Sequence, residues 1–225
     1  HVTLELGGKS PNIVFEDADI ESAVMGAISG IFAATGQTCI AGSRLLLQRS
    51  IHDQFVERLI EVAKTAQIGD PMSTDTHIGP VTTPPQYQKI LDYIEIAKQD
   101  GAKCVLGGQA YTGPAAKGGQ FVEPTIFTEV NNKMRIAQEE VFGPLLAVIP
   151  FDTEEDAISI GNDVDFGLAA GVWTQDIGRA IRRLEKLRVG TAWVNTYRSV
   201  SFTSPFGGYK RSGLGRESGL EAIKP

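Results

Sequence analysis

Cysteine and histidine are scarce here, two and three among 225 residues. Two cysteines do not make a disulfide framework, and a chain that keeps a free thiol suits a reducing, cytoplasmic setting. The histidines are scattered at positions 1, 52 and 77. No His-x-x-x-His or Cys-x-x-Cys spacing occurs, so no zinc site is expected. No apolar run approaches the ~20 residues of a membrane span, and the first residues lack the pattern of a signal peptide. The formal charge of −6 argues against a nucleic-acid surface, which needs a clustered basic face. The basic series Arg179, Arg182, Arg183, Lys186 and Arg188 has helical spacing among apolar residues and reads as a solvated helix face. Hydrophobic content of 42% and charged content of 21% are ordinary for a globular protein.

Strand-like and helical segments alternate along the chain. Strands are expected at 12–15, 43–48, 103–106, 125–127, 145–151, 170–174 and 191–195, and a strand-like alternation opens the sequence at 1–6. Helices are expected at 20–35 with Gly36 as the stop, 51–67, 86–98, 153–161 and 176–187. Helical crossovers between strands imply a mainly parallel sheet covered on both faces, a three-layer α/β/α fold. Sheets of this kind place their sites at the carboxyl ends of strands. With no internal repeat or linker, one domain over 1–225 is the economical reading. Cys104, in Ala-Lys-Cys-Val-Leu, reads as an inert thiol of a buried strand.

The chemistry concentrates in two places. Cys39 sits among small residues and turn formers in Thr35-Gly-Gln-Thr-Cys39-Ile-Ala-Gly-Ser. Glu5 opens Glu5-Leu-Gly-Gly-Lys-Ser-Pro. A thiol that adds to a carbonyl and a carboxylate that activates water are the two parts needed to form and hydrolyse a thioester. Other glycine signatures fail. Gly8-Lys-Ser lacks the upstream glycine of a phosphate loop, and Gly213-Leu-Gly-Arg lacks the preceding strand of a dinucleotide fingerprint. A Cys39–His77 dyad stays open.

Two further motifs, Glu139-Glu-Val-Phe-Gly-Pro144 and Pro205-Phe-Gly-Gly-Tyr-Lys-Arg-Ser-Gly-Leu-Gly-Arg-Glu217, complete an ordered set of four. Over essentially the whole chain this set resembles the aldehyde dehydrogenase superfamily, and in particular its catalytic domain. The resemblance implies Cys39 as nucleophile, Glu5 as general base and Glu217 as a second carboxylate that passes protons from the base. It implies Glu140 and Phe142 at the nicotinamide end of NAD or NADP, with Leu6 and Gly7 as nearby backbone and Gln86 and Lys89 on a helix reaching the adenosine ribose. Asn195, Val200 and Phe206 would line or close the aldehyde tunnel, although Phe206 could equally anchor its own glycine-rich turn.

The implied reaction is oxidation of an aldehyde to a carboxylic acid through a cysteine thiohemiacetal and thioester. The presence of Glu5 favours hydrolysis over transfer to coenzyme A. By the same resemblance, a dinucleotide-binding domain would precede His1 and an oligomerisation strand would lie partly beyond Pro225. The chain alone is therefore expected to be inactive, and the whole protein to form a homodimer or homotetramer. The competing readings are a cofactor-independent cysteine esterase or thioesterase and a non-catalytic structural relative. The sequence names neither the aldehyde nor the choice between NAD and NADP.

Overall fold

The computed structural model describes residues 2–223, apart from the Glu221 side chain; His1 lies outside the described residues. In chain order, β1 (Leu4–Glu5) and β2 (Pro11–Val14) lead into α1 (Ile20–Phe32), β3 (Arg44–Gln48) and α2 (His52–Lys64). Next come α3 (Pro84–Gln99), β4 (Lys103–Leu106), β5 (Thr125–Thr128), the single turn α4 (Arg135–Gln138), β6 (Leu145–Phe151) and α5 (Glu154–Asn162). The remainder is β7 (Phe166–Gly167), β8 (Ala169–Trp173), α6 (Ile177–Leu184), β9 (Thr191–Val194), β10 (Tyr209–Lys210) and β11 (Gly213–Leu214).

Seven strands form one sheet in the order β4-β5-β6-β3-β2-β8-β9, and every pairing is parallel except β4 with β5. Strand side chains alternate between faces, and the core divides accordingly. Leu45 and Leu47 of β3 with Leu146 and Val148 of β6 join α1 and α2 on one side. Leu46, Ala147 and Ile149 join α3, α4 and α5 on the other. These strands are buried on both faces, which is why they read as continuous apolar runs. The three-layer expectation holds. None of the helices among the described residues is long and apolar enough to cross a membrane.

Some details depart from the sequence reading. Helix α1 ends at Phe32, because Ala34, Thr35 and Gly36 turn left-handed with φ of 52°, 57° and 69°. Helix α3 starts earlier than expected, with Pro84 and Pro85 in the first turn, where a missing N–H costs nothing, and Thr83 as N-cap. Strand β4 is a sheet edge, and Cys104 on it is half-buried. The alternation at 1–6 contains the short strand β1, whereas its partner β11 and the ribbon β10·β7 are too short to leave a period in the sequence.

The basic series is also not a uniformly solvated face. Helix α6 turns Arg183 into the protein and leaves Ile177 and Ile181 exposed. The cause is the acidic start of α5: Glu154 accepts from Arg179 at 2.8 Å and also from Arg183, while Arg179 reaches Asp17 at 2.8 Å and lies over the Phe15 ring. Replacing Glu154 with Ala removes the carboxylate that Arg179 and Arg183 share and leaves each with one partner, Asp17 and Glu155 respectively. The change is expected to cost about 1–2 kcal/mol, read as a lower urea midpoint. Hydrogen bonds from Arg179 and Arg183 hold the Glu154 carboxyl below its usual range. Its contribution is therefore complete above the ordinary carboxylate range and disappears as pH falls through the lowered value, so the midpoints of E154A and the parent should converge in acid.

Candidate active site

The segments carrying Glu5, Cys39 and Glu140 immediately precede the parallel strands β2, β3 and β6. The candidate site thus lies at the amino ends of these strands, correcting the carboxyl-end expectation. The loops entering the sheet carry the chemistry here.

Cys39 is presented by a tightly folded lead-in. After α1, the left-handed residues 34–36 reverse the chain, and Gly36 packs so closely that a Cβ there would stand 2.1 Å from the Gly143 carbonyl oxygen. Thr35 Oγ1 donates to the Gly79 carbonyl, and Gln37 Oε1 accepts from both the backbone and the hydroxyl of Thr82. A turn then closes from Ala41 N–H to the Thr38 carbonyl at 3.0 Å, with Cys39 and Ile40 at its centre. The thiol is free and half-buried. Gly8 backs against this turn, since a Cβ on Gly8 would lie 2.4 Å from the Cys39 carbonyl oxygen.

Charge and burial bring Glu5 and Cys39 into one environment. Burial pushes the Cys39 thiol pKa up, and the Glu5 and Glu140 carboxylates push the same way. The backbone N–H groups of Ile40 and Cys39 oppose them by favouring the thiolate. Burial likewise raises the Glu5 carboxyl, followed by repulsion from Glu217, with Arg216 opposing. Strand β1 sets Glu5 opposite Gly213, while Glu217 exchanges two 2.7 Å backbone hydrogen bonds with Phe206. Glu5 Oε1 is buried with no hydrogen-bond partner among the described residues. A buried carboxylate oxygen without a protein partner is an acceptor left for something else.

The candidates for the nicotinamide end also converge. Glu140 Oε1 accepts from Gly8 N–H at 2.9 Å, and a Cβ on Gly7 would sit 2.5 Å from Glu140 Oε2. Leu6 is exposed beside them. Phe142 holds φ at 61°. Gln86 Nε2 donates to the Val141 and Phe142 carbonyls, and Lys89 Nζ donates to the Glu140 carbonyl. Gln86 and Lys89 therefore brace the 140–142 segment itself.

The candidate substrate residues behave differently from one another. Phe206 and Val200 line a cavity of about 180 Å³ with Thr191, Trp193 and Ser199, and Cys39 is not in its wall. Asn195 follows β9 at the carboxyl end of the sheet, where its amide donates to the Thr174 carbonyl and accepts from the Thr174 N–H. The structure does not bring Asn195 to the thiol.

Three residues escaped the sequence reading. Gln37 fastens the cysteine turn to residues 80–82. Lys9 is buried, and burial together with Arg44 draws its pKa down to about 7. Tyr197 is buried and donates to the Ile40 carbonyl. Lys9 and Gln37 lie inside the Glu5 and Cys39 motifs, whereas Tyr197 lies in none; the bonds of Gln37 and Tyr197 span gaps that no spacing reveals.

Comparison with known proteins gives a consistent result. The family description "Aldehyde dehydrogenase family" matches residues 1–225. The chain is similar to a betaine aldehyde dehydrogenase of Mesorhizobium japonicum, 51% identical over 223 residues, covering 99% of this chain and 46% of that protein. It is also similar to the crystal structure of betaine aldehyde dehydrogenase from Staphylococcus aureus with NAD+, at 45% identity and TM-score 0.97, covering 99% of this chain and 44% of that one. An indole-3-acetaldehyde dehydrogenase of P. syringae, in complex with NAD+, shows 48% identity and TM-score 0.96, covering 99% and 45%. The chain thus spans less than half the length of the relatives it matches.

Because the Glu5 charge raises the Cys39 pKa, Glu5→Gln is expected to lower it. In the Cys104→Ser background, the pH profile of iodoacetamide alkylation should move to lower pH, making Cys39 faster to label at neutral pH. An unchanged profile would show that the two groups do not interact.

Proposed function

This chain belongs to the aldehyde dehydrogenase family, and on that footing we propose that it carries the thiol and the general base of an NAD- or NADP-dependent oxidation of an aldehyde to a carboxylic acid. The observation that supports this most is the buried Glu5 Oε1, without a partner among the described residues, together with a half-buried free thiol whose pKa the Glu5 charge raises.

In this reading the Cys39 thiolate adds to the aldehyde carbon. Its own backbone N–H, which favours the thiolate beforehand, would turn to the oxyanion once the negative charge has passed from sulfur to oxygen. Proton removal precedes addition, since burial keeps the thiol protonated. Bound nicotinamide dinucleotide would supply the two-electron oxidant that accepts hydride from the adduct carbon. The residues present fit such a group: Gly7 lacks the Cβ that would fill the space at Glu140 Oε2, and that oxygen is left for a hydroxyl once Oε1 is taken by Gly8. Glu140, Phe142, Leu6 and Gly7 would hold the nicotinamide end, with Gln86 and Lys89 behind them.

The sulfur then carries a thioester. Glu5, its pKa raised by burial, takes a proton from water as that water attacks the thioester carbon, and collapse of the tetrahedral adduct breaks the C–S bond, releasing the carboxylic acid and the Cys39 thiolate. Glu217 repels the Glu5 charge and would take the proton onward. Phe206 and Val200 would shape the approach of the aldehyde. Betaine aldehyde and indole-3-acetaldehyde, named for the relatives, mark the range of aldehydes to try. Assembly as a homodimer or homotetramer and a cytoplasmic location complete the proposal and rest on family likeness.

The test uses the longer protein that contains this chain, assayed with an aldehyde panel and both cofactors. Cys39→Ser should lower turnover by at least about 10³-fold. Glu5→Gln should retain a single burst of reduced cofactor and lose steady turnover, because only thioester hydrolysis needs the base in full. Normal steady turnover in either variant would refute the assignment.

A further inference from the structure

Tyr197 is the residue of this chain whose placement the reaction scheme does not use and the packing singles out. It follows β9 at the carboxyl end of the sheet, yet its ring lies across the sheet toward the opposite end. Space for it comes from three elements. A Cβ on Gly171 of β8 would lie 2.6 Å from its Cδ2, one on Gly30 of α1 would lie 3.1 Å from its Cδ1, and one on Gly42 would lie 2.9 Å from its Cζ. Trp193 covers the ring with centroids 4.8 Å apart. At the end of this slot the hydroxyl donates to the Ile40 carbonyl at 3.1 Å in a buried setting.

Ile40 is the residue after the nucleophile and shares the central positions of its turn. The second anchor of the same segment is Gly42 N–H to the Gly30 carbonyl, at 3.0 Å. Gly30 therefore serves both the ring slot and the turn. The N–H groups of Cys39 and Ile40, which favour the thiolate, belong to this turn and keep their aim only while it is held. Burial holds the Tyr197 hydroxyl in its protonated, donating form.

We propose that Tyr197 is a positioning residue for the nucleophile: its hydroxyl fixes the Ile40 carbonyl and thereby keeps the Cys39 and Ile40 N–H groups directed at the sulfur. The inference rests on the reading of Cys39 as nucleophile and extends it to a residue that touches no reacting atom. A phenylalanine fills the slot equally well and lacks only the donor. The hydroxyl, and not the ring, is the part assigned this role.

The experiment measures iodoacetamide alkylation against pH in the longer protein that contains this chain, read at the Cys39 peptide by mass spectrometry, and so needs no aldehyde turnover. Tyr197→Phe should move the midpoint upward by about half a unit or more, slowing neutral-pH labelling about three-fold, with rates converging in alkali. The direction is opposite to that expected for Glu5→Gln. Should Y197F fail to fold, Gly171→Ala on β8 carries the test, since its Cβ would press on Tyr197 Cδ2 from a strand that holds no part of the cysteine turn. It should shift the profile the same way. An unchanged midpoint in the folded variant overturns the proposal, including when thermal stability falls, because a merely structural tyrosine lowers stability without moving the profile. That result would leave the proposed oxidation standing, as it is read separately by aldehyde turnover.

Discussion

Close backbone approach at Gly7 and Gly8 is the constraint from which the site follows. Any side chain at Gly8 would collide with the Cys39 carbonyl, and any at Gly7 would collide with the Glu140 carboxylate. These two positions bring three loops from distant parts of the chain into contact. One consequence is electrostatic. Glu5 and Glu140 both bear on a single half-buried thiol, and Glu217 bears on Glu5. Burial first, and these neighbouring charges second, raise the pKa of Cys39 and of Glu5, so the thiol holds its proton and the base gains strength.

The sheet explains why loops so far apart in sequence can meet. Strands β2, β3 and β6 run parallel, and β2 and β6 are the neighbours of β3 on either side. Their entering loops therefore emerge side by side. Burial on both faces fixes the register of each strand, because slippage by one residue would exchange its two sets of apolar side chains. The precision of the site is thus borrowed from hydrophobic packing several residues away.

Much of this was legible beforehand. The alternation of apolar segments gave the layers, and four ordered motifs marked Glu5, Cys39, Glu140 and Glu217 as a group. What stayed hidden was long-range geometry. Left-handed backbone at Ala34 and Thr35 goes against local preference and accompanies long-range contacts of the same segment, Thr35 Oγ1 to the Gly79 carbonyl and Gly36 against Gly143, so α1 looked longer than it is. Asn195 sits within a motif-rich region but spends its amide on Thr174. The inward turn of Arg179 and Arg183 depends on Glu154 and Asp17, which spacing within α6 cannot disclose. The choice of strand end failed because a rule for complete doubly wound sheets was applied to loops that enter this one.

The grip of α3 on the 140–142 segment has a mechanical meaning. Three successive carbonyls are caught by two side chains one helical turn apart, and the helix is itself rigid along its axis. Loop and helix must therefore travel as a unit: a push on the outer surface of α3 arrives at the Glu140 carboxylate with little lost to bending. The segment behaves as the short arm of a lever whose long arm is sixteen residues of helix.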